Sequence, residues 1–173
     1  MEKLAIKGGT PVRKRPFPGR TPFGKEEIRH LTEAVKSQNL FRYGGTKVLE
    51  LERRFAQAYD VKYAVASTSG TSAVHLAVGA VNPNPGDEII TTAITDMGSI
   101  IGILYQNAIP VFADIDPLSY NMDPADIERR ITKRTRAIIV VHLFGNPADM
   151  DSIMKRTGLN FTGQWKHSLQ NIL

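Results

Sequence analysis

From Lys62 onward, short strand-like runs alternate with longer segments of helical spacing. This alternation constrains the chain more than any other feature. The runs are Lys62–Ala66, Glu88–Thr91, Pro110–Ala113 and Ala137–Leu143. Ala73–Val81, Gly98–Gln106 and Pro124–Ile131 lie between them and read as helices, with Asp149–Arg156 opening another. Strands that alternate with helices predict an α/β fold with a mostly parallel sheet and helices on both faces. Ala137–Leu143 is apolar apart from His142 and reads as a strand covered on both faces. Asp123 stands where an N-cap for Pro124–Ile131 belongs.

Upstream of Lys62 the pattern differs. Residues 1–24 are rich in Gly, Pro and Arg and predict an extended arm. Lys25–Ser37 has helical spacing, with Ile28, Leu31 and Val35 on one face. Asn39–Thr46 is a loop carrying Gly44 and Gly45. Lys47–Tyr59 is an amphipathic helix with Val48, Leu51, Phe55 and Tyr59 along one stripe.

Composition removes several function classes. The 173 residues suffice for one compact domain with a real core. The chain has no cysteine, which excludes disulfides, a catalytic thiolate and thiolate metal sites. Its net charge of +5 comes from basic residues spread along the chain, with small clusters at Arg13-Lys14-Arg15 and at Lys133, Arg134 and Arg136. No aromatic residues alternate with them, so the charge reads as solvated surface and sites for anionic metabolites, not as a nucleic-acid interface. No apolar run approaches the roughly 20 residues that span a bilayer, and Met1-Glu2-Lys3-Leu4 does not open a signal peptide. No membrane partner and a cytoplasmic location are expected.

The best local signal for chemistry is Ser67-Thr68-Ser69-Gly70-Thr71-Ser72. It follows an expected strand and opens an expected helix. Small residues let a ligand approach the backbone, and free N–H groups at a helix start attract phosphate. Simple N-capping would explain the turn equally well. Neither Gly-x-Gly-x-x-Gly nor Gly-Lys-Ser is present, which disfavours a nucleotide-dependent oxidoreductase. The segment Thr91–Ser99 follows the second strand, where α/β sheets bind ligands. Asp96 there can contact a ligand or cap the helix from Gly98. Asp114 and Asp116 could bind metal or act in catalysis, but a turn ending in Asp116-Pro117 explains them more cheaply. His75 and His142 read as packed side chains. No metal site and no catalytic residue is expected from these patterns.

Seven blocks in order resemble one known family. They are Gly8-Gly9-Thr10-Pro11-Val12-Arg13, then Gly44–Ala56, Tyr63–Ala66, Ser69–Ala77, Pro85–Ile90, Pro110–Pro117 and Val141–Met150. Together they are similar to the DegT/DnrJ/StrS sugar aminotransferases of fold-type I, from about Gly8 to Gly158. The resemblance implies part of the large domain of such an enzyme, with pyridoxal phosphate as cofactor. It implies glutamate or glutamine as amino donor, a keto-sugar (usually nucleotide-linked) as acceptor, and a homodimer with the site at its interface. It places the cofactor phosphate on the backbone of Gly70, Thr71 and Ser72.

Two departures accompany the resemblance. The family usually has an aromatic residue stacked on the cofactor ring after a Thr, whereas here Asp96 follows Thr95. Asp96 is a fourth candidate for the cofactor site but cannot stack, so either the ring is held differently here or Met97 substitutes. Beyond the helix from Asp149 the family has an apolar strand ending in the acid that pairs with the pyridine nitrogen, and later the Schiff-base lysine. Residues 159–173 carry neither, and Lys155 and Lys166 do not match the lysine's place. The expected organisation is an arm at 1–24, part of the cofactor-binding domain at 25–158, and an atypical tail at 159–173 that reads as truncated or frameshifted. Such a chain would be inactive alone. The alternatives are a non-catalytic binding or regulatory module and one half of a split enzyme.

Overall fold

The computed structural model describes residues 3–17, 19 and 22–158. The tail at 159–173, including Lys166, lies outside them. The chain divides into two compact units, residues 1–47 and 48–173.

In the first unit a single 3-10 turn, Ala5–Lys7, interrupts an otherwise irregular arm. Helix α1 spans Lys25–Lys36. Glu27 reaches back to accept the Gly24 N–H at 2.7 Å, which satisfies one of the donors left over at the helix start. Arg29 bridges Glu26 and Glu33, one turn away on either side. Ile28, Leu31 and Val35 form the expected stripe on α1, and all three are exposed.

Helix α2 (Lys47–Ala58) begins on the last residue of the first unit. The second unit then contains α3 (Gly70–Val81), β1 (Glu88–Thr92), α4 (Gly98–Tyr105), β2 (Ile109–Ala113), α5 (Pro124–Arg130), β3 (Thr135–Ile138) and α6 (Met150–Thr157). The strands form a parallel sheet in the order β2-β1-β3. β1 is central and every one of its residues is buried. Its alternation sends neighbouring side chains into different cores. Ile89 packs with Val78 of α3, Ile103 of α4 and Ala108. Ile90 packs with Ala113, Met122, Ile127 of α5, Ala148 and Ile153 of α6. So α3 and α4 cover one face and α5 and α6 the other, as the sequence predicts.

Two expected strands differ. Lys62–Ala66 is irregular, because no described strand lies beside it. Its Ala66 N–H goes instead to the Glu52 side chain, at 3.0 Å. The expected strand Ala137–Leu143 starts earlier and ends earlier, at Thr135–Ile138. Ile139 still donates to the Ile90 carbonyl at 2.8 Å. Beyond it Asn121, almost fully buried, takes over. Its amide donates to the carbonyls of Asn146 and Pro147 and accepts from the Leu143 N–H.

The amino end of β1 is closed by charge. Asp87 accepts from the Asn84 N–H at 2.8 Å and from Arg136 at 2.9 Å. Arg136 sits where the β1–β3 register slips, and the bulge turns its side chain towards Asp87. Glu88 accepts from the Thr132 hydroxyl and from Arg134. The Arg136 hydrogen bond holds the Asp87 carboxyl below its ordinary range, and the Thr132 and Arg134 hydrogen bonds do the same for Glu88. A carboxyl with a lowered native pKa binds fewer protons folded than unfolded. Its contribution is complete above the unfolded carboxylate range, about 4, and is lost as pH falls through the native value. The unfolding midpoint should therefore hold near neutral pH and fall on acidification below about 4. In the double variant Asp87→Asn/Glu88→Gln that acid limb should be shallower, and an unchanged limb would remove these two groups from the account.

Candidate functional site

Parallel strands put all their carboxyl ends on one side of the sheet. α4, which joins β1 to β2, returns in the opposite sense and so begins on that side, and α3, which runs beside it, begins there too. The two helices lie side by side in the same direction. Thr71 faces Gly98, His75 faces Gly102 and Gly79 faces Gln106, one turn after another.

The turn before α3 is organised by hydroxyls. Ser69 caps the helix, its Oγ accepting the Ser72 N–H at 3.0 Å. Ser72 Oγ also meets Ser69 Oγ at 3.0 Å and Thr68 Oγ1 at 3.1 Å, and Ser67 Oγ donates to the Ser69 carbonyl. With Ser72 N–H used by the cap and Ala73 N–H used by the Ser69 carbonyl, Gly70 and Thr71 are left. Among the described residues nothing accepts from either N–H. Both are exposed, at the positive end of a 12-residue helix. A Cβ built on Gly70 would meet nothing within 4 Å. The chain itself thus leaves open the space in front of this turn.

Asp96 follows β1 and is exposed. Its Oδ1 accepts the Gly98 N–H at 2.7 Å, so it serves the start of α4, and its other oxygen takes no hydrogen bond among the described residues. Thr95 and Ser99 hydroxyls meet at 2.8 Å across the same turn. Met97 is exposed and is the first residue before α4. The four residues singled out in the sequence fall together. Gly70, Thr71 and Ser72 open α3, Asp96 precedes α4, and Thr71 and Asp96 both crowd the space a Cβ on Gly98 would take.

The other candidates have structural partners. Asp116 accepts from the N–H groups of Leu118 and Ser119, and the Ser119 bond lowers its pKa. Asp114 accepts from the next N–H along the chain. His75 is half-buried against Gln106 and the Tyr105 ring. His142 Nδ1 accepts the Ala148 N–H at 2.9 Å. Among the described residues no three His, Asp or Glu side chains are placed to hold a metal ion, and no helix is long and apolar enough to cross a membrane. Sequence reading missed the Asn121 clamp and the Gly98/Gly102 seam. The seam did have a signal, two glycines one turn apart in an apolar helix.

The profile of the DegT/DnrJ/EryC1/StrS aminotransferase family matches residues 22–159. The chain belongs to this family. It is similar to the L-glutamine:2-deoxy-scyllo-inosose aminotransferase of Streptomyces paromomycinus, with 38% identity over 155 residues, covering 87% of this chain and 37% of the relative. Among solved structures it is similar to 3-amino-5-hydroxybenzoic acid synthase, with a TM-score of 0.78 at 34% identity, covering 83% of this chain and 37% of that one. It is also similar to a GDP-4-keto-6-deoxymannose-3-dehydratase holding a trapped PLP-glutamate geminal diamine, with a TM-score of 0.73 at 28% identity, covering 82% and 38%. The chain thus spans little more than a third of these relatives' length. Pyridoxal phosphate is the cofactor of the family.

Proposed function

We propose that this chain carries the cofactor-phosphate part of a pyridoxal-phosphate-dependent aminotransferase that converts a keto-sugar or keto-cyclitol to its amino form. The observation that supports it most is the pair of exposed N–H groups at Gly70 and Thr71, in front of which the chain leaves space. The residues present fit a phosphate monoester. Two backbone donors at a helix N-terminus are open there, and a Cβ at Gly70 would meet nothing within 4 Å. Ser72 acts from behind, its side chain tied into the cap that fixes the turn. Asp96 belongs to the same site through the start of α4. When bound, pyridoxal phosphate supplies the electron sink that amino transfer needs. No residue of this chain is assigned to the proton-transfer chemistry. The acid and lysine for those steps are not among the matched blocks.

Glutamine or glutamate as donor, a nucleotide-linked keto-sugar or keto-cyclitol as acceptor, a homodimeric assembly and a cytoplasmic location complete the reading. A dehydration of the keto-sugar is the second reading, since one similar structure is a dehydratase. The higher identity to aminotransferases favours the first.

The turn can be tested without turnover. Binding of pyridoxamine 5′-phosphate by the 173-residue chain, followed by calorimetry, should be lost in Gly70→Val. A branched side chain there projects into the space the ligand needs and blocks two backbone hydrogen bonds. At about 1.5–3 kcal/mol for each bond to a charged group, the loss is about a hundredfold or more. Because the new Cβ meets nothing in the chain, the unfolding midpoint should stay near that of the parent. Equal affinity in parent and variant would remove Gly70 from the site.

A further inference from the structure

The seam between α3 and α4 contains two glycines that do different things. At Gly102 a Cβ would lie 2.9 Å from the His75 Cα and 3.2 Å from its backbone N. These are main-chain atoms of the neighbouring helix and cannot swing aside. At Gly98 a Cβ would lie 2.6 Å from Thr71 Oγ1 and 2.8 Å from Asp96 Oδ1. These are the tips of two side chains, and rotation about χ1 moves them away. Gly102 therefore sets how closely the helices approach. Gly98 sets where the Thr71 hydroxyl and the Asp96 carboxylate stand.

We propose that Gly98 is a positioning residue of the cofactor site. The lack of a side chain at 98 lets Thr71 and Asp96 reach into the same space, one from each helix start, and so sets their two polar heads in one arrangement. This inference rests on the aminotransferase reading above and names a residue that acts on the site only through others. The Asp96 carboxylate accepts the first N–H of α4, which keeps that donor occupied and leaves α3 as the anion-binding helix. A methyl at 98 forces one or both heads to turn. If Asp96 turns, its charge is redirected relative to the α3 turn and the Gly98 N–H is released. If Thr71 turns, its hydroxyl leaves its place against Gly98 at the start of α3. Either movement changes the donors that a phosphate meets, without touching the core behind them.

The contrast between Gly98→Ala and Gly102→Ala tests this. Both add one methyl to the same helix. Three measurements are made on the 173-residue chain: the unfolding midpoint, the Thr71 methyl resonance without ligand, and the affinity for pyridoxamine 5′-phosphate below both midpoints. Gly98→Ala should keep the parent's midpoint, shift the Thr71 methyl resonance, and bind about tenfold more weakly, the loss expected for one hydrogen bond to a charged group. Gly102→Ala should lower the midpoint while the affinity stays that of the parent. An unshifted Thr71 resonance in a folded Gly98→Ala chain overturns the positioning role, whatever the ligand does. So does parent-like affinity in that variant. Failure of the parent chain to bind, with the Thr71 resonance shifted as expected, overturns the cofactor reading and leaves Gly98 as an organiser of an unassigned turn.

Discussion

Gly102→Val should lower the unfolding midpoint by roughly 10 °C, while Gly79→Ala should raise it by a few degrees, although both put a side chain on a helical glycine of the same seam. The signs follow from what each new atom meets. At Gly102 the first carbon already lies too close to the main chain of His75, and valine adds two methyls beyond it. The helices must part. Ile103 and Val78, which bring α4 and α3 into one core with Ile89 and Ala108, then lose contact on both sides. Overpacking of this kind costs about 1–3 kcal/mol, and the upper end applies where backbone must shift. At Gly79 the nearest atom is Gln106 Nε2, at 3.8 Å, an ordinary contact with the end of a flexible side chain. Alanine there removes unfolded-chain freedom at no steric cost, worth about 0.5–1 kcal/mol. Thermal unfolding of the two variants beside the parent decides. A Gly102→Val chain as stable as the parent would mean that α3 and α4 do not approach as described.

The same comparison shows what sequence can and cannot supply. The parallel α/β architecture was legible because β1 and its covering helices declare themselves locally. Glu88–Thr92 is short, centred on Ile89 and Ile90 and bounded by turn residues, and Asp123 and Asp149 cap the helices that follow them, with side chains accepting from Ala125 and Ser152. The Ser67–Ser72 turn was legible as small residues between an expected strand and a helix. A strand, however, exists only by virtue of a neighbour. Lys62–Ala66 has the composition of one and lacks the described partner. Ala137–Leu143 has the apolarity of one, yet its second half is held by the Asn121 amide from a distant loop. No pattern around Asn121 foretells that contact, since its partners lie more than twenty residues away. Asp96 was legible as a site candidate but ambiguous in role, and its bond to Gly98 shows that the capping role is real without removing the other.

The isolated 173-residue chain should associate in solution, with particle mass rising with protein concentration, and should bind hydrophobic dyes. The apolar surface that argues for this is large. In the second unit Phe144 is fully exposed, with Leu118 at 91% and Tyr63 at 76%, and Val65, Leu76, Tyr105 and Phe112 are also open. In the first unit the apolar stripe of α1 is bare. A soluble monomer rarely shows apolar patches above a few hundred Å². The sheet edges are a weaker driver. β2 and β3 each pair on one side only among the described strands, but both are blunted. Pro110 has no N–H to offer a new strand, and the bulge at Arg136 breaks the regular ladder of β3. Side-chain faces should therefore dominate over strand addition. That ranking has a signature in salt. Contact between apolar faces persists or strengthens as ionic strength rises, while attraction between exposed charges fades over a Debye length of about 10 Å at 0.1 M and less above it. Light scattering coupled to size exclusion, run at low and high salt, reads both. Oligomers that survive high salt support the apolar faces as the contact. Oligomers that dissolve in it would shift the cause to the basic surface. A monomer at all concentrations with a sharp thermal transition would show that these faces are covered within the chain itself.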